Sequence, residues 1–522
     1  MIVHTGKKAL VLRLKDVNRV TTLIPKAKVL KEHTLAVKHG VDEVKVLRNL
    51  GINAPSPILY YYKWSGQYSP FLAQKTTSAF LTDHNRAFVL NDLGTGKSLA
   101  TLWAYDYLRS CGKVNKVLVI APLSTMERTW GDEVFRHFPH LTYSVLHGTR
   151  ERRLKMLAQK DTDVYIINHD GLSIVADALA ERPDIDLVVL DEIAQAARNS
   201  GTGRWKVLNK IINKQHPRKA WGLTGTPTPN APTDAWAQVK LLTPERVTPY
   251  FSRFKDQVLR QIGPYKWVPR DNAVDIVNEI MQPAIRFSRD ECIDLPPVMY
   301  ETRQVELSPE QQVAYKQMLS KLHTEVEDQS ITAVNEAVKM SKLLQIGMGC
   351  AYDSNGNEVA IPSPSRLNAI LEVAEQSPAK VIVFVPFVSA VSTVSKFLTS
   401  NHISVECIHG GVSKPERDRI FKAFQHHSEP RVLVAQPAAM SHGLTLTAAS
   451  TIVWAAPVTS NETFEQANGR ITRPGQKNNQ LIIMLEGTQV ERKLYERLRN
   501  KQHMQGLLLS LVKEGRRELA TI

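Results

Sequence analysis

The chain has 522 residues, 43% of them hydrophobic and 22% charged, which excludes a disordered tail and leaves room for two to four globular domains. Its 66 Lys and Arg against 51 Asp and Glu give a formal charge of +15, an excess that favours polyanionic partners and says nothing about fold. Cys111, Cys292, Cys350 and Cys407 lie far apart with no Cys-x-x-Cys pair, which argues against a zinc site or a disulfide framework and fits a reducing compartment.

Residues 1–65 open without a continuous apolar run, so no signal peptide is expected. No stretch of 18 apolar residues follows anywhere, so no membrane span is expected either and the chain reads as soluble and intracellular. These first residues read as a small β-rich or α+β module. They hold twelve Lys or Arg against four Asp or Glu, more than half the net charge. Tyr60-Tyr61-Tyr62-Lys63-Trp64 closes the module. Such aromatics can stack on exposed bases, although more often they pack a domain junction.

From 66 to 235, short apolar runs alternate with helix-like segments. The candidate strands are Ala87–Asn91, Lys116–Ala121, Asp163–Asn168, Ile185–Leu190 and Ala220–Thr224. Runs of this kind without polar alternation belong to a parallel sheet covered on both faces. Residues 236–345 are more helical and more charged, with aromatics at Tyr250, Phe251, Phe254 and Trp267; they read as an insertion and a bridge. A second βα array lies within 346–490, with candidate strands Lys380–Val385, Ile403–Ile408, Arg431–Gln436, Thr451–Ala455 and Gln480–Leu485. Residues 491–522 read as a polar helical tail. Two consecutive βα arrays make an α/β chain of two doubly wound lobes.

The first array carries a phosphate motif. Gly94-Thr95-Gly96-Lys97-Ser98 follows an apolar strand and opens a helical pattern, the context a P-loop requires. Glycines let backbone N–H groups turn toward phosphates, and the helix start adds a positive dipole end. Lys97 can reach the β- and γ-phosphates of ATP, and the Ser98 hydroxyl can bind Mg²⁺. Where the common pattern begins with glycine, this chain has Asn91. The partner motif is the run Ile185–Leu190 ending in Asp191-Glu192. Asp191 can hold Mg²⁺, and Glu192 can orient or deprotonate the attacking water. Alone, an Asp-Glu pair after a strand is usually a solvated loop; combined with Lys97 it is a strong signal.

The ordered set of motifs over about residues 66–500 resembles the superfamily-two helicases, and within them the Swi/Snf-like ATPases. Asp191-Glu192-Ile193-Ala194 is similar to their Asp-Glu-x-His box, with Ala194 in place of His. Leu223-Thr224-Gly225-Thr226-Pro227 resembles the motif that links hydrolysis to movement. Pro122, Ser124 and Thr125, with Asn168 and His169, resemble strand-contacting motifs, and Gln74 stands where an adenine-reading glutamine would be. In the second array, Arg366-Leu367 resembles the opening of the lobe and His409-Gly410-Gly411 a nucleic-acid motif. His442-Gly443-Leu444-Thr445 resembles a Gly-x-Asn motif with Thr445 replacing Asn. The segment Gln466 to Gln476 closely resembles the arginine-finger motif, with Arg470 and Arg473 as its guanidinium groups. A planar, permanent cation can stabilise charge on a transferring phosphoryl group. On a second lobe it does so only when the lobes close, which ties hydrolysis to a domain motion.

The resemblance implies two tandem RecA-like lobes, ATP and Mg²⁺ as cofactors, and translocation along duplex or branched DNA through backbone contacts that read little sequence. In the N-terminal module, Ile24-Pro25-Lys26-Ala27, His33–Val37 and Val44–Gly51 are similar to the small basic domain that precedes the motor in annealing helicases. The reading is a DNA-dependent ATPase that remodels branched or protein-bound DNA. An ATP-dependent RNA or single-strand helicase and a nucleotide-gated clamp without turnover are the alternatives. The short span between motifs suits a bacterial or phage enzyme.

Overall fold

Apolar runs flanked by helical segments place both faces of a strand under cover, and the computed structural model of the chain is built on this pattern twice. It describes residues 1–500 except 68, 217, 264–265, 293–297, 328–332, 353–357, 441–445 and 474–475. The chain divides into two units, Met1–Ile293 and Asp294–Ile522.

The first unit begins with strands β1 (Ile2–His4), β2 (Ala9–Arg13), β3 (Lys28–Lys31) and β4 (Thr34–Lys38) in an antiparallel sheet of order β1-β2-β4-β3. Alternation along β2 and β4 buries Leu10, Leu12, Leu35 and Val37 against Val44 and Leu47 of the helix Val41–Asn49. This small core does not stand apart. Val41 and Ile58 belong to the core of the lobe that follows, and Tyr62 and Trp64 pack against it. Trp64 meets Trp103 edge to face at 5.6 Å, and the Tyr62 hydroxyl donates to Asp106 at 2.6 Å. Arg48 and Asp83 add an ion pair. The aromatic run therefore packs a junction, with Tyr60 the one 45% exposed.

The main sheet of this unit contains β5 (Arg86–Val89), β6 (Lys116–Ala121), β7 (Tyr143–Val145), β8 (Val164–Asn168), β9 (Ile185–Asp191) and β10 (Lys219–Leu223). After a hairpin, β11 (Leu259–Gly263) and β12 (Lys266–Pro269), the short β13 (Ala284–Ile285) joins its edge. The order is β13-β5-β10-β9-β6-β8-β7, every pair parallel. Both faces are buried: on β6, Leu118 and Ile120 enter one core cluster, and Val117, Val119 and Ala121 the other.

The second unit contains β14 (Val298–Gln304), a hairpin of β15 (Cys350–Tyr352) and β16 (Glu358–Ala360), then β17 (Lys380–Phe384), β18 (Val405–Ile408), β19 (Val432–Ala435), β20 (Ala449–Trp454) and β21 (Gln480–Glu486). Its parallel sheet has the order β14-β21-β20-β17-β19-β18. Ile382 and Phe384 face one core cluster and Val381 and Val383 the other. Each candidate strand of the two arrays is thus present, with ends shifted by up to two residues. The segment 236–345 also supplies edge strands β13 and β14 to the two sheets. The helix Gln489–Arg499 begins the tail, and the rest of the tail from 501 lies outside the described residues. Among the described residues no helix is long and apolar enough to cross a membrane.

Arg366 is buried within the second unit. Its guanidinium donates twice to Glu491, at 2.9 and 3.0 Å, and reaches the carbonyls of Ala455 and Leu485. The side chains of Arg366 and Glu491 are 1% and 0% exposed. They tie the helix Pro364–Gln376 to the strand ends and to the last helix. Removing one partner leaves a buried charge uncompensated, at about 3–5 kcal/mol. Glu491→Ala is expected to move the urea unfolding transition of the second unit earlier by that amount; a shift below about 1 kcal/mol would contradict the staple.

Candidate nucleotide site

Strand register builds the site. Leu223 of β10 lies opposite both Val89 of β5 and Asp191 of β9, and Ala121 of β6 lies opposite Asn168 of β8. Parallel strands in this alignment end together. The loops carrying Asn91–Ser98, Pro122–Thr125, Asn168-His169, Asp191-Glu192 and Thr224–Thr226 therefore emerge along one edge, where ligands bind in open α/β sheets.

The phosphate loop is shaped by Gly94 and Gly96, at φ +83° and +75°, a conformation that glycine adopts freely. Gly96 also leaves room for Gln74: a Cβ there would stand 2.1 Å from the Gln74 amide nitrogen. Gln74 is buried, and its carbonyl accepts from the Phe71 N–H at 3.0 Å. The Thr95 hydroxyl closes the turn by donating to the Asp92 carbonyl at 2.8 Å. Lys97 and Ser98 begin the helix Lys97–Ser110. The Lys97 ammonium donates to the carbonyls of Asn91 and Asp92 at 2.9 and 3.0 Å. Those carbonyls hold it at the loop.

Asn91 has a clear structural reason. It is 2% exposed. Its amide donates to Thr77 at 2.9 Å, and its carbonyl accepts from the Phe287 N–H at 3.0 Å. One side chain thereby links the helix that bears Gln74, the phosphate loop and Phe287, two residues past the strand β13 at the sheet edge. Leu90 and Asp92 also donate to the carbonyls of Ile285 and Phe287.

Asp191 is buried, and burial pushes its carboxyl above the usual carboxylate range, opposed by the Trp130 indole and by the charge of Lys97. Trp130 Nε1 donates to Asp191 Oδ2 at 2.9 Å. The wide turn Met126–Gly131 delivers this tryptophan, which no motif had singled out. Glu192 is buried and has φ +51°. The other described non-glycine residues in that region, Lys8, His33 and His402, are exposed. A left-handed backbone at a buried acidic residue costs free energy that the surrounding packing offsets.

His169 Nε2 bonds the Asp191 carbonyl oxygen at 2.9 Å, which fixes Nε2 as the protonated nitrogen. The Thr226 N–H donates to the Thr224 hydroxyl at 3.2 Å, and Gly225 packs on Leu93 of the phosphate loop. Pro122, Thr125, Asn168, His169 and Thr224 are buried and shape the loops, whereas Ser124 and Thr226 are partly open.

The donor chemistry fits Mg²⁺. Ser98 and Asp191 are hard oxygen donors, and among the described residues no group of three or more His, Cys, Asp or Glu forms a metal cage. Mg²⁺ ordinarily takes one or two protein oxygens and fills its shell with water and phosphate.

In the second unit, His409 and Gly410 follow β18, and the Gly411 N–H donates to His409 Nδ1 at 3.2 Å. Gln466, on the helix Asn461–Asn468, donates to Glu462 at 3.1 Å. The arginine segment that follows is clamped to β20. Trp454 donates to Asn468 at 2.9 Å, and Gln476 donates to the Ala449 carbonyl at 2.8 Å. Arg470 is 2% exposed, whereas Arg473 is partly open and donates to the Gly469 carbonyl at 3.2 Å. Gly443 and Thr445, with Pro474-Gly475 of the arginine motif, lie outside the described residues.

Burial lowers the His169 pKa from its ordinary 6.5 to about 4, against the opposing bond to Asp191. The folded protein thus keeps His169 neutral where the unfolded chain would protonate it. Stability is full above pH 6.5 and is lost as pH falls from there toward 4. At 1.36 kcal/mol per pH unit, the loss is on the order of 3 kcal/mol. His169→Gln is expected to flatten the change in denaturation midpoint between pH 7.5 and 4.5; an unaltered slope would contradict this environment.

Residues 59–355 match the SNF2-related domain, and residues 364–475 match the helicase conserved C-terminal domain. The putative ATP-dependent helicase/translocase YwqA of Bacillus subtilis is 23% identical over 465 residues, 85% of this chain and 48% of that one. The human DNA annealing helicase and endonuclease ZRANB3 is 23% identical over 413 residues, 76% of this chain and 36% of that one. The chain thus spans half or less of the length of these two relatives. The helicase domain of Pyrococcus furiosus Hef aligns with a TM-score of 0.51 at 17% identity, covering 82% of this chain and 98% of that one. That likeness matches the two parallel sheets as tandem RecA-like lobes. By the domain match over most of its length, the chain belongs to the SNF2-related family of ATP-dependent helicases and translocases.

Proposed function

We propose that this protein is a DNA-dependent ATPase that moves along duplex or branched DNA and remodels it. The observation that carries the reading is the convergence of the phosphate loop, Asp191-Glu192 and Thr224–Thr226 on one sheet edge, with the charge of Lys97 acting on the buried Asp191. In this reading Gln74 reads the adenine. The N–H groups of Gly94, Thr95 and Gly96 receive the phosphates, and Lys97 reaches the β- and γ-phosphates. Ser98 and Asp191 would hold Mg²⁺, which when bound neutralises charge on the β- and γ-phosphate oxygens. Glu192 orients the attacking water and takes its proton. Arg470 and Arg473 supply guanidinium charge to the transferring phosphoryl group, and Gly443 and Gln466 contribute to nucleotide binding.

DNA is the polymer favoured by the family and by the net charge of +15. A relative described as a DNA annealing helicase supports branched DNA as the substrate. Ser124, Thr226, His409, Gly410 and Thr445 are assigned to the track that positions a strand through its backbone. Such contacts make binding depend strongly on salt and weakly on base sequence. The basic N-terminal module is assigned to recognition of the branch.

Steady-state ATPase activity measured with duplex, forked and single-stranded DNA and with RNA tests the reading. Stimulation mainly by duplex or forked DNA is expected, and stimulation mainly by RNA would replace it with an RNA helicase. Glu192→Gln is expected to lower turnover by about 10²–10⁴-fold, the range for a lost general base, while retaining ATP binding. Lys97→Ala is expected to abolish hydrolysis. Near-normal turnover in either variant would remove the site assignment.

A further inference from the structure

The end of the first unit carries charge and apolar surface that the nucleotide site does not use. From Arg246 to Arg270 there are six Lys or Arg and one Asp, a balance of +5 in a chain of +15. The N-terminal module holds most of the remaining excess. Acidic residues resume at Asp271 and on the helix Ala273–Ile280, with Asp275 and Glu279.

The segment is anchored from below. Phe254 and Val258 of the helix Phe251–Val258, and Leu259 at the start of β11, enter the core. In the hairpin, Arg260 lies opposite Val268, and Gln261 opposite Trp267. Antiparallel pairs alternate between faces, so Arg260 and Val268 lie on the face opposite the buried Leu259. Arg260 and Ile262 are exposed.

Cations and rings alternate across this surface. The Lys255 ammonium stands 3.6 Å from the centre of the Trp267 ring, and the Arg253 guanidinium 5.4 Å from that of Tyr250. Tyr250 and Phe251 are 63% and 45% exposed. Arg246 and Arg270 line a cleft of about 510 Å³ together with Asp256, Gln257, Asn272 and Glu279. Arg270 Nε donates to the carbonyls of Asp256 and Leu259 at 2.9 and 3.2 Å, which fixes its guanidinium at the base of the hairpin. Among the described residues, none of Arg246, Arg253, Lys255, Arg260 or Arg270 has a carboxylate within ion-pair distance.

A solvated basic face accounts for the cations but not for the exposed rings beside them. Rings packed under cations hold the guanidinium and ammonium groups in place for phosphates, and a two-stranded ribbon fits the major groove of duplex DNA. We propose that the surface carrying Arg246, Arg253, Lys255, Arg260 and Arg270 is a second DNA-contact surface, gripping duplex phosphates outside the strand track of the motor motifs. This rests on the DNA reading above and adds a fixed grip on the first lobe. That grip retains the duplex while the strand track releases it.

The test measures duplex DNA affinity of the full chain across a salt series. Each phosphate contact contributes about 0.9 to the slope of log affinity against log salt. Arg253→Gln with Arg260→Gln is expected to reduce the slope by about two and to weaken binding by roughly tenfold or more at low salt. The single Arg260→Gln variant is expected to reduce it by about one. Thermal melting checks that each variant is folded. The control is Arg136→Gln with Lys210→Gln, which removes the same charge from residues paired with Asp132 and Asp177. A loss in the first pair and not in the control supports the surface. Equal losses in both, or an unchanged slope while the parent binds duplex DNA, overturn the surface and leave the DNA reading standing. A parent that binds no duplex DNA at low salt overturns both.

Discussion

Leu223 stands in register with both Val89 and Asp191, and the rest of the first lobe's chemistry depends on that alignment. Parallel strands that end at one level deliver their loops to one edge, so residues more than a hundred positions apart come together there. A slip of one residue would turn each side chain of the strand to the other face. The buried faces forbid it, because Leu118 and Ile120 fill one core and Val117 and Val119 the other. The packing that stabilises the lobe is therefore also what aims Lys97, Asp191 and Glu192.

The same edge is tightened by buried polar groups, each with a partner. Asn91 spans from Thr77 to Phe287, Trp130 holds Asp191, and His169 holds the Asp191 backbone. In a low-dielectric site such bonds are strong and their loss is costly. They bind the helix that carries Gln74, the Gly94–Ser98 loop and the carboxylates into one unit. Asn91 extends that unit to Phe287, just past β13. Ala194 takes the last position of the Asp191–Ala194 box, whereas His169 reaches the same acidic strand end from the loop after β8, two strands along the sheet.

Much of this was legible in order of residues. Central strands announced themselves as apolar runs because both their faces are covered. Their ends shifted because a ladder stops where its partner stops. The two-residue β13 is too short to show a pattern, and β14 is half exposed as an edge strand. The phosphate loop, Asp191 and Glu192 were legible because their spacing is local. Trp130 was not, since its partner lies 61 residues away. The left-handed backbone of Glu192 leaves no trace in composition. Arg366 read as part of a lobe-opening motif, and its pairing with Glu491 was not legible, because only the fold brings the two together. The aromatics at Tyr62 and Trp64 needed the partner ring of Trp103 to be recognised as packing.

The central claim is that hydrolysis at this edge drives movement along duplex DNA. Displacement of a third strand from a triplex on a long duplex tests it most directly, because no strand separation is needed and only a moving protein clears the strand. The account predicts displacement that requires ATP, fails with a non-hydrolysable analogue, and slows as the duplex track lengthens. Stimulated ATP hydrolysis with the third strand left in place would contradict it.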